Sequence, residues 1–429
     1  MKRLRILIAS GLIASPCLAQ DLSKVPPANY DESKIKPYTL PDPLQFNDGR
    51  KVGSAKDWPA RRSELLETVT REMFGRMPKE PVEISADPPL IKKGALGGLA
   101  KRKLVTLHIK RNGKDVPVEL LIYTPSHATG QVPIFMGLNF NGNQAVTNEA
   151  DIPLTKSWMR PNKNNSVIQN RATEKLRGSE ATRWQVEKIL KNGYGLVTIY
   201  YGDIDPDFDD GFHNGVHSLF RDPSQKGRSD DEWGSVGGWA WGLSRSLDYL
   251  HNDTDIDASK VAVIGHSRLG KASLWAGISD PRFALVIANN SGCGGAAIER
   301  REIGETVFRI NTAFPHWFSQ NFRKYNQNED KMPFDAHSLV ALVAPRPIYI
   351  ASAEKDTWAD PKGEFLSAVG ADPVYRILTG DGIPVKEIPA LSTPVMGQLG
   401  YHIRPGEHDV VAYDWDQFIA FADKHLKSK

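Results

Sequence analysis

From about residue 100 onwards, short apolar runs alternate with amphipathic stretches. Leu104 to Ile109 and Val116 to Tyr123 read as two β-strands, and Asn112-Gly113 between them is the strongest short hairpin signal. Pro133 to Leu138 predicts a buried strand ending at Asn141-Gly142-Asn143. Gly195 to Tyr201, Val261 to Ile264, Phe283 to Ala288 and Pro347 to Ala351 predict four more. Trp239 to Leu250 and Asp414 to His425 have helical spacing, and residues 59–74 place Leu65, Leu66, Val69 and Met73 on one helical face. Strands alternating with helices predict an α/β protein, its mostly parallel, doubly wound sheet at the centre of a three-layer sandwich. Such sheets place their chemistry on loops at the carboxyl ends of strands. The stretches 140–180, 203–233 and 380–407 read as irregular and too polar to be core. In a compact domain, loops this long are usually functional.

The chain has 429 residues, 40% apolar and 24% charged, as in ordinary soluble proteins. A formal charge of +3 and the lack of a basic, aromatic-interleaved cluster argue against nucleic acid as a partner. Residues 1–19 read as an export signal. Lys2, Arg3 and Arg5 precede the apolar run Ile6 to Ile13, and Cys17-Leu18-Ala19 ends in a small residue suited to cleavage. Pro16 before Cys17 speaks against a lipoprotein site. Residues 20–57, rich in Pro and polar residues, read as an extended arm, and 58–429 as one catalytic domain with inserted loops. The mature chain is expected to be a soluble monomer, secreted or periplasmic, with no membrane attachment. Once Cys17 is removed, Cys293 has no partner for an intramolecular disulfide and reads as a small buried residue.

The most informative segment is Val261-Ala262-Val263-Ile264-Gly265-His266-Ser267-Arg268-Leu269-Gly270-Lys271. A buried strand runs into a sharp turn and then a helix, the nucleophile elbow of α/β-hydrolases. Ser267 sits at the tip, and the helix behind it points free N–H groups at a developing oxyanion. The common Gly-x-Ser-x-Gly pattern is altered, because Leu269 occupies the second glycine's place and Gly270 comes one later. The bland alternative is a serine that caps a helix.

Hydrolases of this fold run in the order serine, acid, histidine. Arg404-Pro405-Gly406-Glu407-His408-Asp409 precedes the last helix, so His408 is the expected base, with His402 at the end of a possible strand as its rival. Asp356 in Ser352-Ala353-Glu354-Lys355-Asp356 is the expected acid, preferred over Glu354 because it lies far enough past the strand to turn back over the sheet. Arg268 at a helix start opposes the helix dipole, which calls for a reason. Lys271 lies one helical turn from Ser267. Other signals are weak. His213 and His217 have the spacing of a zinc protease, but Asn214 stands where the glutamate would be. Asp203, Asp205, Asp207 and Asp209 alternate like a calcium loop but lack the closing glutamate, and read as a solvated acidic loop. No metal or cofactor is expected.

Gly265-His266-Ser267-Arg268-Leu269-Gly270-Lys271 and Asn290-Ser291-Gly292-Cys293-Gly294-Gly295 resemble motifs of the glucuronoyl esterases, carbohydrate esterase family 15. So do Glu305 in Gly304-Glu305-Thr306, Phe314-Pro315-His316-Trp317-Phe318, Asp356-Thr357-Trp358 and His408-Asp409. Tyr38 to Pro43 and Phe74 to Pro78 look like the family's N-terminal segments, so the resemblance spans nearly all the mature chain. It implies hydrolysis of esters between 4-O-methylglucuronic acid of glucuronoxylan and alcohols of lignin, through a glucuronoyl-serine intermediate. It also implies that Arg268 supports the oxyanion and that Lys271, Glu305 and Trp358 bind sugar hydroxyls. Fungal members carry the triad glutamate where this chain has Asn290, so Asp356 has to supply the negative charge, as in bacterial members. The rival functions are another carbohydrate esterase, such as an acetylxylan esterase, and a non-catalytic carbohydrate-binding protein; a peptidase of this fold is a distant third.

Overall fold

The computed structural model describes residues 22–162, 164–222 and 224–427; the expected export signal and its cleavage point lie outside them. The described part of the arm holds two 3-10 turns, Leu22–Lys24 and Glu32–Lys34. It is tied down by Glu32, which pairs with Arg301 and Lys362, and by the Pro41 carbonyl, 2.7 Å from His337 Nε2.

Helix α1 (Trp58–Val69) has Pro59 in its first turn, where the missing N–H costs nothing, and runs into a π turn, Thr70–Phe74. Leu65, Val69 and Met73 are buried from it. Strands β1 (Glu83–Ala86), β2 (Leu90–Ala95), β3 (Ala100–Arg111) and β4 (Lys114–Pro125) form an antiparallel wing. Asn112 and Gly113 join β3 to β4 with φ of 51° and 75°, the left-handed pair that a two-residue hairpin needs. Strand β5 (Val132–Asn139) follows, then a small hairpin of β6 (Val167–Ile168) and β7 (Arg171–Ala172). Short helices α2 (Ala181–Trp184) and α3 (Val186–Lys191) lead to β8 (Gly195–Tyr200) and α4 (Tyr201–Ile204). Next come α5 (Ser235–Leu250), β9 (Ile256–His266), α6 (Arg268–Ser279), β10 (Leu285–Asn289) and α7 (Val307–Ala313). The chain closes with α8 (Ala336–Val343), β11 (Ile348–Ala353), α9 (Pro361–Thr379), β12 (Val395–Met396), β13 (Leu399–Arg404) and α10 (Ala412–Leu426).

Eleven strands form one sheet in the order β1-β3-β4-β8-β5-β9-β10-β11-β13-β12, with β2 also on β3. The six strands from β8 to β13 in that order are mutually parallel. Alternate residues feed two cores, as the period of a strand requires. Ile134, Met136 and Val263 pack with α1, α5, α6, α8 and α9, while Phe135, Ala262 and Ile264 pack with α3 and α10. The mostly parallel sheet thus lies between two helical layers, as the alternation of elements predicts.

Two expectations about the long stretches are corrected. The stretch 380–407 is not irregular throughout: it contains β13, all six residues of which are buried beside β11. Polarity hides this strand because its charged residues are satisfied inside the protein. His402 lies between the Tyr349 hydroxyl (3.0 Å) and Asp414 (2.8 Å), and Arg404 Nε also donates to Asp414. Of the four alternating acids only Asp209 is exposed as expected; Asp203, Asp205 and Asp207 are 7%, 2% and 1% exposed. Each has internal donors: Thr155 and the Glu119 amide for Asp203, His217 for Asp205, and several side chains for Asp207. His213 is exposed and His217 is engaged by Asp205. Among the described residues, no three metal-ligating side chains converge.

Burial lowers the pKa of His402, so it is held neutral between its two partners. His402→Ala is expected to cost about 3 kcal/mol of stability by opening a cavity and stripping Tyr349 of its acceptor. A urea midpoint unchanged from wild type would contradict this placement.

Candidate active site

The elbow forms because β9 ends at His266 and α6 begins at Arg268, which leaves a single residue for the reversal. Ser267 takes φ 58° and ψ −131°, a region that L-residues seldom occupy, and its N–H bonds to Asn289 O at 2.9 Å. Gly265 is required: a Cβ there would lie 1.9 Å from Leu269 O. The structure also explains the altered motif. The Leu269 side chain is buried in the core, and Gly270 is the position that Ser291 approaches, at 3.0 Å from a notional Cβ. The tight crossing of helix and strand therefore falls at Gly270.

His408 lies on the loop between β13 and α10, and its Nδ1 is 2.5 Å from Asp356 Oδ2. Its side chain is 39% exposed, and its ring lies 4.4 Å from that of His266, tilted by 42°; His266 is the neighbour of Ser267, so the imidazole stands at the elbow. His266 is held in turn by Asn289 Oδ1 at 2.6 Å; burial, and secondarily the neighbouring His408, push its pKa well down. Asp356 is 4% exposed, and its Oδ2 also accepts from Asn290 Nδ2 at 2.7 Å. The departure at 290 thus leaves a donor facing the acid. Glu354 is exposed, and His402 is locked away in the core.

Lys271, Glu305 and Trp358 are linked by contacts, while Arg268, one turn before Lys271 on α6, has partners of its own. Lys271 is 3% exposed; its Nζ donates to Ser291 O at 2.7 Å and meets Glu305 Oε2 at 3.4 Å. The Glu305 N–H donates to Trp358 O at 3.0 Å, which ties the two segments together. The Trp358 ring is 38% exposed, with the Arg309 guanidinium 5.6 Å above it. Arg268 Nη1 donates to the buried Asp207, a contact the sequence did not suggest. Burial would raise the Asp207 pKa, but the Arg268 charge and the His316 hydrogen bond outweigh it and hold the carboxyl well below the usual range. The regular spacing of acids at 203–209 was the one available signal for Asp207, and polarity alone pointed it outward.

The family model of fungal glucuronyl esterases matches residues 227–379. Carbohydrate esterase MZ0003, from an unknown prokaryotic organism, is 50% identical over 399 residues, 93% of this chain and 92% of the relative. A promiscuous esterase of carbohydrate esterase family 15 from a marine bacterial metagenome superposes with a TM-score of 0.87 at 50% identity. That match covers 93% of this chain and 100% of the other. A glucuronoyl esterase from Solibacter usitatus gives a TM-score of 0.86 at 46% identity, over 92% and 99% of the two chains.

Behind Asn290 lies Glu364 of α9, which sequence reasoning missed. Its Oε1 accepts from the N–H groups of Ser291 (2.6 Å) and Gly292 (3.0 Å), and its Oε2 is 2.6 Å from Ser352 Oγ. Burial pushes its pKa up from 4.5 to about 8, with the Asp356 charge adding to the shift. The folded chain keeps this proton where the unfolded chain has lost it. Stability from this group is therefore full below pH 4.5 and is lost as pH rises through about 8. Glu364→Gln mimics the protonated acid and is expected to flatten the decline in stability between pH 5 and pH 8 by up to about 1.4 kcal/mol per pH unit. A decline as steep as that of wild type would contradict the assignment.

Proposed function

The chain belongs to carbohydrate esterase family 15, and on that footing we propose that it is a serine esterase hydrolysing esters of 4-O-methylglucuronic acid, as in lignin–glucuronoxylan cross-links. The observation that supports this most is the line Asn290–Asp356–His408 ending at the strained elbow of Ser267. In this reading Ser267 Oγ attacks the ester carbonyl carbon while His408 Nε2 takes its proton. Asp356, on the far ring nitrogen, fixes the tautomer and stabilises the imidazolium. The carbonyl oxygen becomes an oxyanion next to the sugar ring. There the first N–H groups of α6 and the Arg268 guanidinium receive it. The tetrahedral intermediate collapses, the alcohol leaves with the proton from His408, and the glucuronoyl group remains on Ser267. His408 then takes a proton from water, whose oxygen attacks the acyl carbon; as the acyl–Oγ bond breaks, His408 returns the proton to Ser267 and the uronic acid leaves.

In this substrate the sugar owns the carbonyl, so groups that grip its hydroxyls also orient the reacting carbon. Lys271 donates, Glu305 accepts, and the half-exposed Trp358 offers an apolar face and an N–H. The pairing of Lys271 with Glu305 supports their acting as one unit on vicinal hydroxyls. Among the described residues no helix is long and apolar enough to cross a membrane. We read the N-terminal segment as an export signal cleaved after Ala19, which would deliver a monomeric enzyme to the periplasm or beyond.

Benzyl glucuronate provides the test. Wild type is expected to release benzyl alcohol, and Ser267→Ala to be at least about a thousandfold slower. Asp356→Ala is expected to lose roughly 100-fold or more in kcat, and Glu354→Ala less than about threefold. Comparable losses in these two would reject Asp356 as the acid. Release from acetylated xylan with none from glucuronate esters would instead favour an acetyl esterase.

A further inference from the structure

We propose that Asp207 is a positioning residue that aims the Arg268 guanidinium at the reacting carbonyl. The inference rests on the esterase reading, because it assigns a source for the geometry of that reading's oxyanion support. A long arginine side chain has many rotamers, and a donor left to find the oxyanion gives up much of its effect to reorganisation. Here the guanidinium is fixed. Its Nη1 donates to Asp207 Oδ2, and its Cζ lies over three aromatic rings, 4.9 Å from the centre of Trp317, 5.5 Å from that of Phe314 and 5.9 Å from that of Phe140. Trp317 and Phe314 are themselves stacked at 3.7 Å and 5°. Nε of Arg268 is buried and has no protein partner.

Asp207 is an unusually firm anchor. Its side chain is 1% exposed, and its Oδ1 accepts from His316 Nε2 at 2.9 Å and Trp317 Nε1 at 2.8 Å, both on rigid aromatic rings. Its Oδ2 accepts from Arg268 and from the Tyr201 hydroxyl at 3.2 Å, and Arg160 Nη2 lies 3.5 Å away. The indole that donates to Asp207 also lies beneath the Arg268 guanidinium carbon, so one side chain contacts both the anchor and the cation it holds. A carboxylate that merely neutralised a buried charge would need neither the two ring donors on Oδ1 nor the shared Trp317.

A double-mutant cycle tests this. Values of kcat and KM for benzyl glucuronate, with thermal midpoints, are compared for wild type, Asp207→Asn, Arg268→Ala and the double variant. Asp207→Asn is expected to lower kcat about tenfold with KM nearly unchanged, and to cost less than about twofold once Arg268 is gone. Losses that multiply independently would overturn the proposal. If Asp207→Asn is recovered unfolded, Trp317→Phe replaces it, since it removes one donor to Oδ1 and keeps a ring over Arg268. Its loss of about threefold should likewise vanish in Arg268→Ala, and persistence there would overturn the proposal. A wild type inert towards glucuronate esters would reject the functional reading but not Asp207. The same proteins are then compared on p-nitrophenyl acetate, where the same coupling is expected. A wild type inert towards both esters would overturn both.

Discussion

Oδ2 of Asp356 accepts from Asn290 on one side and from His408 on the other, and the arrangement of the site depends on that shared oxygen. His408 sits on a loop and is more than one-third exposed, so it has little packing to hold it. Its carboxylate partner is buried and needs donors of its own. The sheet supplies them through register. Parallel β10 and β11 set Asn289 opposite Ala351, and the Asn290 N–H bonds to Ala351 O at 2.7 Å. Asn290 then turns with φ 43°, and its amide reaches Asp356. An amide at this place donates to the acid where a second carboxylate would repel it.

A second constraint is electrostatic. Helix α6 places two cations, Arg268 and Lys271, within a turn of its positive end, against its own dipole. Each is paired with a carboxylate from a distant loop: Asp207 from the segment after β8, and Glu305 from the segment before α7. Buried pairs of this kind are costly to desolvate and are weak evidence for stability. What they provide is place. The long cationic side chains of Arg268 and Lys271 are held in place by Asp207 and Glu305.

Much of this was legible in the chain. The buried run Val261 to Ile264 with Gly265 gives strand and turn, the hairpin at Asn112-Gly113 follows from backbone sterics, and the loop before the final helix points to His408. These features rest on local geometry and periodicity, which a sequence displays directly. What escaped rests on contacts between residues far apart in the chain. β13 looked polar because nothing in its neighbourhood shows that Asp414 satisfies both His402 and Arg404. Asp207 looked solvated because its partners lie at 201, 268, 316 and 317. Asn290 looked like a missing acid until its amide was seen to face Asp356. A polar residue reveals its valence in the sequence but not its partner.

In the proposed chemistry everything follows from the activation of Ser267 by His408. An organophosphonofluoridate, which reacts with an activated serine by losing fluoride, tests it directly through intact mass and peptide mapping. The expected result is one adduct, located at Ser267, forming at least about a hundredfold more slowly in His408→Ala. An adduct on another residue, or an equal rate of labelling without His408, would contradict the claim.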